Sequence, residues 1–373
     1  MDGDRIRANT TYFRMDKLIP VTKSFLPPIE EYVSQVQRAY NNEWLTNRGE
    51  LVRELEDKIQ VYLGSKATPI LMNNGTIPLQ IALKLLGVGG EIITTPFSYV
   101  ATTSTIVWEG CTPVFVDIDP IYWTIDETRI EEAITEKTTC ILATHVFGNP
   151  CNVEEIERIA KKNKLFVIYD AAHCFGVKYK GKSIFDWGDI STCSFHATKI
   201  FHTGEGGAAF VNKEELHEKV FYSHNFGHNG PTDFHGVGIN GKMSELQAAM
   251  GLAVLPHLEE LIARRKKGVD YYIANLNFTK LSTLKLRENA QWNYSYYPVL
   301  FQTEAKLLKM QKVLNDGQIF PRRYFYPSLN FLHYVTSNQK EVSESVSSRI
   351  LCLPLYTGLA KEELMKITEI ISR

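Results

Sequence analysis

The stretch Leu165-Phe166-Val167-Ile168-Tyr169-Asp170-Ala171-Ala172-His173 is a continuous apolar run that ends in a carboxylate and an imidazole. Shorter apolar runs precede it, roughly 20 to 25 residues apart and separated by segments with helical periodicity. These runs are Pro69–Met72, Glu91–Thr94, Val114–Val116 and Cys140–Ala143. Continuously apolar strands between helices are typical of a parallel sheet that helices cover on both faces. We therefore predict an α/β fold with three layers, α/β/α.

The alternation of strands and helices also predicts how the chain divides into domains. At 373 residues the chain exceeds the length at which a single hydrophobic core usually stops growing. The alternation breaks near Pro256, after which helices mix with strand-like runs. We predict an N-terminal extension over residues 1–20, a large domain over 21–255 and a smaller C-terminal α+β domain over 256–373.

Charge and composition argue against several classes of function. Lys and Arg total 41 against 42 for Asp and Glu, a formal charge of −1, so no bulk field favours nucleic acid or an anionic membrane. The basic tetrad Arg264–Lys267 lacks interleaved aromatic residues and is interpreted as a solvated helix face. No run resembles a signal peptide or approaches the ~20 residues of a membrane span, so we expect a soluble protein that is not exported. Six cysteines without a CxxC pair indicate reduced thiols of a cytoplasmic protein, and no metal site is predicted.

Candidate functional residues follow the apolar runs, because ligands of open parallel sheets bind at the carboxyl ends of the strands. After the first run come Asn74, Gly75 and Thr76, a glycine turn that leads into a helix. Free backbone N–H groups and the positive end of the helix dipole suit a phosphate there. The alternative is an ordinary strand-to-helix turn, which this motif alone does not exclude.

Tyr99 follows the second run, and Asp170 and His173 follow the fifth. An aromatic ring at this edge can stack on a flat cofactor, although an aromatic residue near a helix start more often belongs to the core. An aspartate at the end of so apolar a strand is costly unless its charge meets a cation, and a protonated pyridine nitrogen is such a cation. The alternative for Asp170 is a helix cap beside an incidental histidine.

Lys199 ends the stretch Ser194-Phe195-His196-Ala197-Thr198-Lys199 and precedes the glycine-rich turn Thr203–Gly207, in a region poor in charge. A lysine in this setting is a candidate Schiff-base nucleophile toward an aldehyde cofactor. A lone lysine would ordinarily be a surface residue. A phosphate cradle, a stacking ring, an acid for a ring nitrogen and this lysine, in that order along one sheet, together indicate pyridoxal phosphate (PLP).

Six motifs occur in order between residues 44 and 249. They are Trp44–Gly49, Asn74–Thr76, Thr95–Thr102, Asp170–His173, Ser194–Lys199 and Asn240–Ala249. In these motifs the chain resembles the DegT/DnrJ/EryC1/StrS family of sugar aminotransferases, which have the aspartate-aminotransferase fold, PLP fold type I. By that resemblance Lys199 is the Schiff-base lysine, Asp170 pairs with the pyridine nitrogen, Tyr99 stacks on the cofactor ring and His173 approaches the phenolic oxygen.

The resemblance also implies a homodimer with shared active sites. Gly75-Thr76 and Ser194 would hold the cofactor phosphate, together with Asn240 from the neighbouring subunit. The chain departs from the family pattern at Gly241-Lys242, where an aromatic residue and an arginine are common. Contacts from the partner side to the substrate are therefore expected to differ.

The resemblance is strongest to enzymes that aminate dTDP-4-keto-6-deoxyglucose to dTDP-4-amino-4,6-dideoxyglucose. The stretches that carry it are Phe25–Pro28, Trp44–Asn47 and Ser194–Lys199. Enzymes that act on the 3-keto isomer look nearly the same, so a C3 aminotransferase acting on a dTDP-3-keto-6-deoxyhexose is the alternative. L-Glutamate as the amino donor and use of the product in O-antigen or another surface polysaccharide are further expectations from the family.

Two other functions are alternatives to amino transfer. Sugar dehydratases of the same fold carry a histidine in place of the lysine, so Lys199 argues against that activity. A non-catalytic cofactor-binding protein would not need the chemically required residues that this chain retains.

Overall fold

The computed structural model describes residues 18–372. Most of the predicted N-terminal extension, residues 1–17, lies outside the described residues, as does Arg373. The strands are β1 (Ile19–Pro20), β2 (Ile70–Met72), β3 (Glu91–Thr94), β4 (Thr112–Phe115), β5 (Thr138–Thr144), β6 (Phe166–Asp170), β7 (Lys178–Tyr179), β8 (Lys182–Ser183), β9 (Ile190–Ser194), β10 (Gly207–Val211), β11 (Leu281–Thr283), β12 (Ala290–Gln291), β13 (Tyr297–Phe301), β14 (Ile319–Phe320) and β15 (Ile350–Leu353). The α-helices are α1 (Ile29–Asn41), α2 (Glu50–Leu63), α3 (Ile77–Leu86), α4 (Val100–Trp108), α5 (Val153–Asn163), α6 (Glu214–Ser223), α7 (Glu245–Val254), α8 (Leu258–Asn275), α9 (Glu304–Asp316), α10 (Glu341–Arg349) and α11 (Lys361–Ser372).

Strand β6 lies in the middle of a seven-stranded sheet with the order β2-β10-β9-β6-β5-β3-β4. Successive side chains of a strand point to opposite faces of its sheet. Val167 and Tyr169 accordingly belong to one apolar cluster with α2, α5 and α7, whereas Ile168 belongs to another with α3 and α6. Both faces of the sheet are therefore covered by helices, and the predicted three-layer α/β/α fold is confirmed.

The sheet is mixed, however, and the expectation of a parallel sheet was wrong for one strand. Strand β10 runs antiparallel to both of its neighbours, β2 and β9. The connection from β9 to β10, residues 195–206, contains no α-helix. Parallel neighbours usually need a helical crossover, whereas a strand that turns back directly pairs antiparallel. Lys199 consequently lies in a loop between two adjacent strands, at the carboxyl end of β9.

The C-terminal part of the chain builds an apolar core of its own on the antiparallel sheet β11-β13-β15. Apolar side chains between Val269 and Ile371, from α8, α9 and α11, fill this core together with Ile19. Ile19 belongs to β1, which pairs in parallel with β14. Residues 19 and 20 of the predicted extension are thus part of this fold. The domain boundary at residue 256 stays a prediction.

The basic tetrad on α8 was interpreted from the sequence as a solvated helix face, and this interpretation was wrong for Arg265. Arg265 is only 4% exposed, and its Nη1 donates a hydrogen bond of 2.8 Å to the carbonyl oxygen of Ser295. Burial lowers the pKa of its guanidinium to about 10. A helix turns once in 3.6 residues, so four consecutive side chains of a packed helix cannot all point outward.

Asp117, just after β4, links the central sheet to the C-terminal part through hydrogen bonds. Its buried carboxylate accepts hydrogen bonds from the backbone N–H groups of Val342 and Ser343, at 2.9 and 2.8 Å. These residues lie in the first turn of α10, where N–H groups have no partner within the helix. A negative charge at this end is further stabilised by the helix dipole.

We expect Asp117→Ala to lower the free energy of unfolding by about 2–3 kcal/mol, because two N–H donors at the start of α10 lose a charged acceptor. Chemical denaturation followed by circular dichroism measures the loss. Asp126→Ala is the matched control, since the Asp126 carboxylate accepts from the N–H group of Thr128 in an exposed turn. The control should lose less than about 1 kcal/mol, and equal losses in both variants would contradict the assignment.

Candidate active site

A cavity of ≈ 250 Å³ opens where β2, β6 and β9 end. The structure brings seven of the eight predicted site residues together there. They are Gly75, Thr76, Tyr99, Asp170, His173, Ser194 and Lys199. The eighth, Asn240, does not line this cavity and is exposed on the segment that connects α6 to α7.

Asp170 is the buried acid of the site, with 5% of its surface exposed. Its Oδ2 accepts a hydrogen bond of 2.7 Å from the Thr102 hydroxyl, and its Oδ1 accepts one of 3.1 Å from the backbone N–H of Ala172. Burial raises the pKa of the carboxyl group, while these two donors and the nearby Lys199 cation act in the opposite direction. The Thr102 hydroxyl also contacts Ser98 Oγ at 2.7 Å, so Asp170 ends a chain of buried hydroxyl groups.

Lys199 extends its side chain into the cavity, where Nζ lies 5.6 Å from the centre of the Tyr296 ring. Burial lowers the pKa of its ammonium group, and the side chains of Tyr324 and Asp170 partly oppose the shift. A lowered pKa increases the fraction of neutral amine, which is the nucleophilic form.

His173 is buried between aromatic rings. Its imidazole lies nearly parallel to Phe147, with ring centres 6.2 Å apart, and to Phe325, with ring centres 5.8 Å apart. His173 Nδ1 accepts a hydrogen bond of 3.2 Å from the backbone N–H of Phe147, so the ring proton resides on Nε2. Burial lowers the pKa of the imidazole well below its usual range. His173 is therefore a neutral hydrogen-bond donor, as a partner for a phenolic oxygen must be.

Gly75 and Ser194 pack closely together at the predicted phosphate cradle. A Cβ atom at Gly75 would lie 2.6 Å from the Cβ of Ser194, so no larger residue fits in this conformation. The N–H groups of Thr76 and Ile77 are not free, because Asn74 Oδ1 accepts from them at 2.8 and 3.0 Å. A bound phosphate would use the Gly75 N–H and the hydroxyl groups of Thr76 and Ser194, and would compete with Asn74 for the other donors.

Tyr99 stands immediately before α4 and is 51% exposed at the wall of the cavity. Half of its surface is therefore available for contact with a flat ligand. The predicted acid, lysine, histidine donor, stacking ring and phosphate cradle all occupy one cavity, so the residues present fit PLP. This fit rests on the donor set of the cavity: a buried carboxylate, an amine of lowered pKa and a neutral N–H donor.

Several residues that line or support the site have no role predicted from the sequence. They are Thr102, Tyr296, Arg322, Tyr324 and Phe325. Thr102 lies in a motif that was recognised, so its hydroxyl could have been considered as a partner for Asp170. The other four come from the C-terminal part, and no spacing in the sequence indicates that they meet His173 and Lys199.

The described residues, 18–372, lack the features of two other classes of site. No helix there is long and apolar enough to cross a membrane. The same residues contain no group of three or more His, Cys, Asp or Glu side chains placed to hold a metal ion.

Comparison with known proteins gives matches over nearly the whole chain. The profile of the DegT/DnrJ/EryC1/StrS aminotransferase family matches residues 28–372. A Shigella dysenteriae protein named dTDP-4-amino-4,6-dideoxy-D-glucose transaminase is 42% identical over 366 residues, which are 96% of this chain and 99% of the relative. The structure of DesI in the presence of its TDP-sugar product aligns with a TM-score of 0.90 at 28% identity, covering 96% of this chain and 93% of DesI. Spr1654 of Streptococcus pneumoniae, solved in its PLP form, aligns with a TM-score of 0.87 at 25% identity, covering 95% and 98%.

We expect Asp170→Asn to lower the pKa of Lys199 further, because the carboxylate stabilises the neighbouring ammonium group. The pKa is measured on the apoprotein from the pH dependence of the NMR signal of the ¹³C-methylated Lys199 amine. Asp316→Asn removes an exposed charge on α9 as the control and should leave the Lys199 signal unchanged. A pKa of Lys199 that stays constant or rises in Asp170→Asn would show that the two groups do not interact.

Proposed function

Because the chain belongs to the DegT/DnrJ/EryC1/StrS aminotransferase family, we propose that it transfers the amino group of L-glutamate to a nucleotide-linked keto-sugar. The specific acceptor proposed is dTDP-4-keto-6-deoxyglucose, and the product dTDP-4-amino-4,6-dideoxyglucose. The observation that supports this acceptor is the name of the Shigella dysenteriae relative, which is 42% identical over 96% of this chain. The cofactor is PLP, with which a structural neighbour was solved.

PLP, when bound, supplies an aldehyde that takes up the amino group and a protonated ring that withdraws electrons from the reacting carbon. Lys199 would bind this aldehyde covalently through its amine. In its free form the Lys199 amine would act as general base and then as general acid, moving a proton at the reacting carbons. Asp170 would keep the ring nitrogen protonated, because a buried carboxylate is stabilised by a neighbouring cation.

The remaining side chains would orient the cofactor. His173 would donate from Nε2 to the phenolic oxygen, and Tyr99 would stack on the ring. Gly75-Thr76 and Ser194 would hold the phosphate from the same chain. The close contact between Gly75 and Ser194 supports this role, because it places the glycine backbone and the serine hydroxyl side by side.

Arg322 supports an anionic amino donor. Its backbone N–H and carbonyl groups form hydrogen bonds of 3.1 and 2.8 Å with Cys352 of β15, which anchors the residue beside the cavity. The guanidinium lies 4.3 Å from the centre of the Tyr324 ring. Within residues 18–372 it forms no ion pair with a carboxylate. A guanidinium in this position can bind a carboxylate group of glutamate through two parallel hydrogen bonds.

The exposed segment that carries Asn240 supports a homodimer with shared active sites. The segment around it, residues 225–240, exposes the side chains of Phe226, Phe234, Val237 and Ile239. Exposed apolar side chains grouped on one segment indicate a surface for protein association. We infer that this segment packs on a second copy of the chain and delivers Asn240 to the phosphate in the partner's cavity.

A cytoplasmic location and a role in supplying O-antigen or another surface polysaccharide complete the proposal. The six cysteines are free and buried, which fits a reducing compartment.

Product analysis tests the proposed reaction directly. We expect the protein with PLP and L-glutamate to convert dTDP-4-keto-6-deoxyglucose to the 4-amino sugar, identified by mass spectrometry and NMR. Lys199→Ala should reduce turnover by at least about a thousandfold, since proton transfer and covalent binding are both lost. Lys266→Ala, which removes an exposed amine on α8, is the control. Amination of the 3-keto isomer alone would favour the C3 alternative, and no amination of either sugar would refute the proposal.

We expect Arg322→Gln to raise the KM for L-glutamate by about tenfold or more, because a charged hydrogen-bonded contact is lost. The KM for the keto-sugar should change by less than about threefold. Steady-state kinetics with each substrate varied in turn separates the two. Arg264→Gln, at an exposed arginine paired with Glu260, serves as the control. Equal increases in both KM values would argue against recognition of the donor by Arg322.

A further inference from the structure

Lys242 is held inside the segment that carries Asn240. Its Nζ donates one hydrogen bond to Asn225 Oδ1 and another to Asn240 Oδ1, both 2.8 Å long. The same ammonium lies 4.6 Å from the centre of the Phe226 ring. Among the described residues, no carboxylate pairs with Lys242. Its charge is therefore directed at the two amide oxygens and the ring.

The backbone around Lys242 is fixed to the central sheet. Lys242 forms an antiparallel bridge with Met72, at the end of β2, and the N–H of Asn73 donates to the carbonyl oxygen of Gly241 at 2.8 Å. A Cβ atom at Gly241 would lie 2.6 Å from Cγ2 of Ile77. A larger side chain at position 241 would therefore require Ile77 to shift. The lysine side chain therefore begins from a well-defined point.

The contact with Lys242 determines which way the Asn240 amide faces. An asparagine amide has one carbonyl oxygen that accepts and one NH₂ group that donates, and an ammonium group can only donate. The carbonyl oxygen of Asn240 must therefore face Lys242, and its NH₂ group must point away. Asn240 is exposed, so this NH₂ group is available to an approaching acceptor.

We propose that Lys242 is a positioning residue that holds the Asn240 amide with its N–H groups outward, toward the PLP phosphate in the cavity of the partner subunit. This inference rests on the proposed function, since it requires a dimer with shared sites. Without Lys242 the amide can rotate and present its carbonyl oxygen, which repels a phosphate. The lysine thus acts through the asparagine rather than by contact with the cofactor.

Titration of the dimeric apoprotein with PLP tests the inference without an activity assay. The dissociation constant is obtained from the absorption of protein-bound PLP. We expect Lys242→Met to bind PLP about ten to a hundred times more weakly, since one hydrogen bond to a charged phosphate is lost. Lys242→Arg, which retains a cation with several N–H donors, should remain within about threefold of the wild type. Lys312→Met, at an exposed lysine of α9, is the matched control and should bind PLP normally.

The double variant Lys242→Met/Asn240→Ala separates positioning from direct contact. If Lys242 acts through Asn240, the double variant binds PLP about as weakly as Asn240→Ala alone, because the two effects are not additive. The inference is overturned if Lys242→Met binds PLP like the wild type, or if the losses of the two single variants multiply. It is also overturned if Lys242→Met no longer dimerises in sedimentation equilibrium. A wild-type protein that fails to bind PLP would instead refute the proposed function itself.

Discussion

The Asp170 carboxylate is buried at the end of an apolar strand, and the arrangement of the cavity depends on the stabilisation of that charge. Strand β6 pairs with β5 and β9 on its two sides, and only 5% of the surface of Asp170 is exposed. A buried carboxylate is costly unless donors or cations surround it. Thr102, the N–H of Ala172 and the Lys199 amine provide these partners. The position of the acid is thereby coupled to the start of α4 and to the loop after β9.

The same burial acts on the other ionisable groups in different directions. It lowers the pKa of Lys199 and of His173, which increases the fraction of neutral amine and of neutral imidazole beside the acid. His173 keeps its orientation because a backbone N–H holds Nδ1 and two aromatic rings hold the imidazole plane. The same apolar environment therefore favours the nucleophilic form of Lys199 and the neutral, donating form of His173.

The C-terminal part contributes to the site through a few fixed contacts. Asp117 caps α10, and the side chains of Asn293 and Ser295 donate to the carbonyl oxygen of His173 at 2.8 and 2.6 Å. These bonds hold the segment before β13 against the loop that carries the histidine. Arg322 and Tyr324 can then line the cavity beside Phe325, which packs in one apolar cluster with Phe97 and Phe147. The site is thus formed by two parts of the chain.

The amino-acid sequence by itself determined the layered α/β fold and the residues that meet at one sheet edge. Apolar strands alternating with helices leave few alternatives, and the ends of parallel strands must converge. The direction of β10, the burial of Arg265 and the placement of Tyr324 and Phe325 depended on tertiary structure. They result from contacts between residues far apart in the chain, which local periodicity does not encode. The orientation of the Asn240 amide is of the same kind, because its own side chain is symmetric in shape and only the ammonium of Lys242 distinguishes its two ends.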